Sequence, residues 1–123
     1  MYQVNVEQHF DAAHSLRGYN GKCEALHGHR FRVVAKVKAS QVNDIGLAYD
    51  FTELKQHLSD ILDRFDHTCL NDTPPFDKIN PSSENIARTI YNKLKPRLKG
   101  APVSLASVEA WESPDSGVKY SKG

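Results

Sequence analysis

Apolar and polar residues alternate along the first stretch of the chain. Val4, Val6, Phe10, Ala12 and His14 share one parity; Gln3, Asn5, Glu7, His9 and Asp11 share the other, with Gln8 the polar exception on the apolar side. A period of two predicts a half-buried antiparallel strand over residues 2–14, with His14 on its core face and His9 on its solvent face. Phe31, Val33, Ala35 and Val37 alternate with Arg32, Lys36 and Lys38, which predicts a second strand over about 29–40. Asp50-Phe51-Thr52-Glu53 has the form of a capping box, with Asp50 as cap and Glu53 reaching back. Phe51, Leu54, Leu58, Ile61, Leu62 and Phe65 follow at helical spacing, so a helix is expected to about residue 64. Asn80-Pro81-Ser82-Ser83-Glu84 reads as a second helix start, with Ile86, Ala87, Ile90, Tyr91 and Leu94 as its apolar face and Pro96 as its stop. Residues 102–112 read as a third strand of mixed parity. Val103, Leu105 and Trp111 fall on one side and Val108, Ala110 and Glu112 on the other, so a bulge is expected between them. Ser113–Gly117 is a hairpin turn, and residues 118–120 are a short last strand.

The resulting order, β-β-α-α-β-β, places both helices between two hairpins. It predicts an α+β fold: a four-stranded antiparallel sheet with two helices on one face. At 123 residues, 1–123 is expected to be one domain with one core. A small open sheet leaves exposed edges, which predicts pairing with other subunits. Sixteen basic and fifteen acidic residues give a formal charge of +1, which offers no electrostatic argument for nucleic acid or an anionic membrane. No apolar run reaches the length of a membrane span and the first residues lack a signal-peptide layout, so a cytoplasmic protein is expected. Two cysteines make no disulfide framework and suit a reducing cytosol.

Four of the six histidines lie before residue 30. In Cys23-Glu24-Ala25-Leu26-His27-Gly28-His29, the imidazoles at i and i+2 point to the same face of a strand. They share the parity of the apolar stripe that follows. If the first two strands pair, His14 at the end of one sits beside His27 and His29 at the start of the other, with a thiol nearby. Three nitrogens with an open fourth position is the pattern of a catalytic zinc. The competing reading is a set of hydrogen-bonded histidines at the mouth of a strand. Asp66-His67 is either an accident of a loop or an imidazole that moves protons beside a carboxylate. Glu112 is either an ordinary exposed carboxylate or the anchor for a ligand with a row of N–H donors.

Six pieces in this order carry a family resemblance. They are Phe10-Asp11-Ala12-Ala13-His14, Cys23-x-x-x-His27-Gly28-His29, Asp50-Phe51, Asp66-His67, Asn80-Pro81-Ser82-Ser83-Glu84-Asn85, and Trp111-Glu112-Ser113 with Tyr120. The chain resembles the 6-pyruvoyl-tetrahydropterin synthase family, most closely the branch that makes 6-carboxy-tetrahydropterin in queuosine biosynthesis. The three-residue gap between Cys23 and His27 is the reason for that choice of branch. Phe65 and Ser113 depart from the pattern without removing a catalytic group.

The resemblance implies a tunnelling fold whose protomers join edge to edge into barrels, as a hexamer of two stacked trimers with intersubunit sites. It implies zinc on His14, His27 and His29, Cys23 as base, and His67 with Asp66 as the second proton-transfer group. Glu112 would hold the pterin, counted among the catalytic residues for that reason, and Ser82 and Ser83 would line its pocket. The expected reaction converts 7,8-dihydroneopterin triphosphate to 6-carboxy-tetrahydropterin, acetaldehyde and triphosphate. The alternatives are the pyruvoyl-forming reaction and a non-catalytic pterin- or purine-binding zinc protein. Arg17, Lys22 and Arg30 are the basic residues nearest the site in sequence.

Overall fold

The computed structural model describes residues 1–21 and 24–123. In chain order the elements are β1 (Tyr2–His14), β2 (His27–Ala39), α1 (Phe51–Leu62), β3 (Thr68–Cys69), α2 (Ser83–Leu94), β4 (Ser104–Ser113) and β5 (Ser116–Tyr120). Single 3-10 turns lie at Leu70–Asp72 and Lys95–Leu98. The strands form one sheet in the order β3-β1-β2-β4-β5.

β1 and β2 pair antiparallel along their whole length, from Tyr2 opposite Ala39 to His14 opposite His27. The odd–even alternation therefore becomes a division between two faces. Val6, Phe10, Ala12 and His14 of β1, Phe31, Val33, Ala35 and Val37 of β2, and Val108 and Ala110 of β4 are all buried. All of these but His14 form one core with Leu54, Leu58, Ile61 and Leu62 of α1 and Ile86, Ile90, Tyr91 and Leu94 of α2. Phe10 stacks on Phe31 at 4.9 Å between centroids, and Phe65 tilts against both Phe10 and Phe76. Such aromatic pairs are worth about 0.5–1.5 kcal/mol beyond the area they bury. The other face carries Glu7, His9, Arg32, Lys36 and Glu109, with Arg32 bonded to Glu7 at 3.2 Å and Lys36 to Glu109 at 2.9 Å.

The expected bulge is present. Lys36 pairs with Ser107 but Val37 pairs with Leu105, so Ala106 is the extra residue in β4. It restores the parity that brings Val108 and Ala110 under the helices.

Four expectations need correction. The sheet has five strands, because β3 adds two residues parallel to β1, Ala12 opposite Thr68 and Ala13 opposite Cys69. Two residues show no parity in a sequence. This strand is fastened by its neighbours, His67 N–H donating to the Asp11 carbonyl and Asp11 N–H to Asp66 Oδ1. Phe51 is 59% exposed, and the buried face of α1 begins at Leu54. Asp50 caps α1 through the N–H of Thr52, and no reciprocal bond from Glu53 is made among the described residues. α2 starts within the expected stretch, but Pro81 lies just before the cap and outside the helix, and Ser82 Oγ caps it by accepting from Asn85 N–H at 3.1 Å. Among the described residues, no helix is long and apolar enough to cross a membrane.

Trp111 is flanked by Arg32 on β2, whose guanidinium lies 4.9 Å from the ring centroid, and by Gly117 on β5. A Cβ built on Gly117 would overlap the indole. Gly117→Ala should therefore cost about 1–3 kcal/mol by overpacking, read from urea denaturation. Because the chain has one tryptophan, its native fluorescence should shift with the displaced ring. Unchanged stability and emission would contradict this packing.

Candidate metal centre and its neighbours

The register that ends with His14 opposite His27, and places Ala12 opposite His29, gathers the three imidazoles at one end of the central hairpin. They lie on the helix side of the sheet. Their ring centroids are 4.6, 5.2 and 4.8 Å apart, and Phe31 meets His14 and His29 edge-on at 5.3 and 5.6 Å. One nitrogen from each ring lies within 4.8 Å of those of the other two.

Two of the rings have their tautomer set by backbone. His14 Nδ1 is 2.7 Å from the Pro81 carbonyl, and His27 Nδ1 is 2.7 Å from the Ala25 carbonyl. A carbonyl can only accept, so each Nδ1 carries the hydrogen and each neutral ring keeps a bare lone pair on Nε2. A carbonyl on the far nitrogen is also how metal-binding imidazoles are held. His14 is 1% exposed, and the Nε2 atoms of His14 and His29 are buried without any hydrogen-bond partner. Buried polar atoms left unpaired are costly and call for an explanation. Three ring nitrogens within 4.8 Å of one another, with the Nε2 atoms of two of the rings orphaned, fit a divalent cation with nitrogen preference.

Burial is the largest effect on the His14 pKa and lowers it from the ordinary value. The Pro81 carbonyl acts in the opposite sense, and His27 and His29 add to the lowering. The ring is therefore neutral, as a ligand must be, at any pH near seven.

Glu112 extends from β4 toward this group. Its Oε1 accepts from Ser83 Oγ at 3.0 Å, and its Oε2 lies 3.5 Å from His29 Nε2, beyond a well-made hydrogen bond. Ser83 is the first residue of α2 and is buried, so the helix start sets the carboxylate's angle. Ser82 uses its hydroxyl as the helix cap. Glu112 also borders a cleft of about 520 Å³ that includes His9, Arg30 and Arg32.

Asp66 and His67 form a second cluster with Asp11. His67 Nδ1 lies 3.0 Å from Asp66 Oδ2, and its side chain is 79% exposed. His67 has φ 59°, the left-handed region, and is held there by its N–H bond to the Asp11 carbonyl. The Asp11 N–H, more than the neighbouring His67, holds the Asp66 carboxyl below the usual carboxylate range. Asp66 is therefore ionised at neutral pH and orients an exposed imidazole.

The residues expected from sequence thus fall into two clusters. His14, His27, His29, Glu112 and Ser83 meet at one; Asp66 and His67 lie at the other. Cys23 and Lys22 lie outside the described residues. Arg17, one of the three basic residues near the site, is engaged by backbone carbonyls. The expectations missed Asp11, whose backbone fastens His67 and Asp66, and the Pro81 carbonyl. Asp11 carries a signal only in its place three residues before His14. A carbonyl carries none.

A mostly antiparallel sheet with two helices on one face, and a cluster of imidazoles at the end of its central hairpin, is a tunnelling-fold architecture with a candidate metal centre. Residues 3–123 match the family model for 6-pyruvoyl tetrahydropterin synthase. The 6-carboxy-5,6,7,8-tetrahydropterin synthase of Synechocystis sp. is 37% identical over 125 residues, spanning 98% of this chain and 93% of its own. The enzyme of the same name from Haemophilus influenzae is 30% identical over 142 residues, spanning 98% and 99%. The solved structure of Caenorhabditis elegans 6-pyruvoyl tetrahydropterin synthase matches with a TM-score of 0.83 at 30% identity, covering 100% of this chain and 98% of that one. The chain belongs to the 6-pyruvoyl tetrahydropterin synthase family and is an enzyme of the lyase class.

The lowered His14 pKa has a sign that can be measured. As pH falls below about 6.5, the unfolded chain takes up a proton that the folded chain refuses until its own lower pKa is passed. The contribution is fully present above that value and is lost as pH falls through the folded pKa. Urea denaturation of the metal-free protein should therefore show stability declining below about pH 6.5, with a shallower decline in His14→Gln. Equal slopes in the two proteins would contradict the burial of a neutral ring.

Proposed function

We propose that this chain is a zinc-dependent carbon–carbon lyase that converts 7,8-dihydroneopterin triphosphate and one water to 6-carboxy-5,6,7,8-tetrahydropterin, releasing acetaldehyde and triphosphate, in queuosine biosynthesis. The reading takes residues 1–123 as one synthase domain acting in the cytoplasm. The observation that carries it is the convergence of three imidazole nitrogens, two of them buried and unpartnered, next to a carboxylate held by Ser83. The relatives named for the carboxy product support the branch.

His14, His27 and His29 would hold the ion, and Pro81 and Ala25 carbonyls orient two of them. When bound, zinc supplies a Lewis acid for the hydroxyl oxygens of the substrate side chain. Glu112 is acceptor-only when ionised, so it pairs with the ring N–H groups of a pterin and rejects a ring that lacks them. Ser83 keeps one of its oxygens turned, which fixes the plane the ring must enter. Asp66 holds His67 at its Nδ1 and leaves Nε2 to take or return a proton. His67 is exposed in the protomer, which suits a group that serves a site completed by a neighbouring subunit. Cys23 enters as the base through the family resemblance. We further read the sheet edges at β3 and β5 as the joints of a hexamer made of two trimers.

The second reading is 6-pyruvoyl-tetrahydropterin formation, favoured by the similarity to the C. elegans enzyme. A zinc-loaded turnover assay with dihydroneopterin triphosphate, with products read by mass and acetaldehyde assayed, separates the two. Carboxy-tetrahydropterin with acetaldehyde is expected; a pyruvoyl product would overturn the branch. Cys23→Ala and His67→Ala should each lower kcat by at least about 100-fold, the usual worth of a positioned acid or base. Glu112→Ala should raise the pterin Kd about tenfold or more while zinc stoichiometry stays at one per chain. Full activity in both Cys23→Ala and His67→Ala would defeat the mechanism and favour a non-catalytic pterin-binding zinc protein. Light scattering in solution should give six times the 13.8 kDa chain mass; a monomer would remove the intersubunit site.

A further inference from the structure

The turn that leaves β1 is fastened to the segment before α2 by side chains instead of a sheet ladder. Ser15 N–H donates to Asn71 Oδ1 at 2.9 Å, and Asn71 Nδ2 donates back to the Ser15 carbonyl at 3.0 Å. Arg17 N–H donates to Asn80 Oδ1 at 3.0 Å, and Asn80 Nδ2 donates back to the Arg17 carbonyl at 2.9 Å. Each carboxamide imitates the edge of a neighbouring strand. The Arg17 guanidinium then donates to the carbonyls of Phe76, Asn71 and Ile79 at 2.7, 3.2 and 3.3 Å. A guanidinium bonded to three carbonyls is committed to holding backbone, so Arg17 is a poor candidate for gripping a phosphate.

The clamped segment ends at Asn80, and the next residue is Pro81. Pro81 has a fixed φ and no N–H, so its carbonyl is placed by what holds its two neighbours. On one side is the Arg17–Asn80 pair, with the Asn80 carbonyl accepting from Asn85 Nδ2 at 2.9 Å. On the other is Ser82, the cap of α2. The Pro81 carbonyl is the acceptor that keeps the hydrogen on His14 Nδ1.

We propose that Arg17 and Asn80 are positioning residues for the three-histidine centre, clamping the Pro81 carbonyl against His14 Nδ1 so that His14 Nε2 stays bare and aimed at His27 and His29. The proposal rests on the metal reading above for its consequence, but its geometry belongs to the chain alone. When the clamp loosens, the His14 ring can move its hydrogen to Nε2, and a donor replaces the lone pair a cation needs. Partners beyond the ligands themselves commonly change metal affinity about 10–100-fold. Arg17 and Asn80 act one contact further out, so the lower end is expected.

The test compares the parent chain with Arg17→Ala, Asn80→Ala, the conservative Arg17→Lys, and Ile61→Val as a core change in α1, which makes none of the clamp's hydrogen bonds. Zinc affinity is read by chelator competition, and the His14 tautomer by nitrogen NMR of the metal-free protein. The expected result is about tenfold weaker zinc and a mixed tautomer in both alanine variants, partial recovery in Arg17→Lys, and parental values in Ile61→Val. Parental affinity with an unchanged tautomer in both alanine variants overturns the proposal, as does an equal loss in Ile61→Val. A parent chain that takes up no zinc defeats the metal reading separately. The tautomer comparison then decides the clamp alone: a mixture in the alanine variants upholds it and an unchanged ring overturns it.

Discussion

Everything at the site depends on the register of one strand pair. β1 and β2 run antiparallel with His14 opposite His27 and Ala12 opposite His29. Because side chains alternate with period two, a slip of one residue would carry a strand's imidazoles to the other face of the sheet. The same slip would expose Phe10 or Phe31, both buried in the core. The apolar residues that form the core thus hold the register that forms the site, and the cost of losing one is the cost of losing both.

At the end of that hairpin the core changes character without a break. Phe31 lies edge-on to His14 and His29, so the rings are packed like core residues. Their polar atoms are divided. Outer nitrogens of His14 and His27 are satisfied by carbonyls, and the Nε2 atoms of His14 and His29 are left buried and unpaired. A cation bound there would convert this liability into binding energy, and the two fixed tautomers would leave little rearrangement for it to drive. The carboxylates follow the same logic of prior orientation. Ser83 turns Glu112, and the Asp11 N–H turns Asp66 toward His67.

Helix starts and loops supply these second contacts. α2 contributes Ser83 from its first turn, and the residues just before it contribute Pro81 and Asn80. The segment between β3 and α2 is irregular, yet its backbone is held at several points by Arg17, Asn71 and Asn80. An irregular segment held this way can be as well placed as a strand, which the orientation of His14 requires.

Much of this was legible in the sequence, for a local reason: strand parity and helical spacing are properties of neighbouring residues. Parity placed His14, His27 and His29 on one face with the core, and the mixed parity around Leu105–Val108 announced the bulge at Ala106. A helix start within Asn80–Glu84 was readable because the cap bond, from Asn85 N–H to Ser82 Oγ, spans three residues. The rest joins residues far apart in the chain. Nothing near Asp66 indicates that it accepts from Asp11, and nothing near Ser83 that it holds Glu112. The two-residue β3 was invisible because it is too short to carry a pattern. Arg17 was one of three basic residues near the site in sequence, with no role assigned, and the fold surrounds it with carbonyls. The sequence by itself determined which side chains share a face. Only tertiary structure decided which backbone atoms orient them, because a carbonyl is the same in every residue and acquires a role only through where the chain brings it.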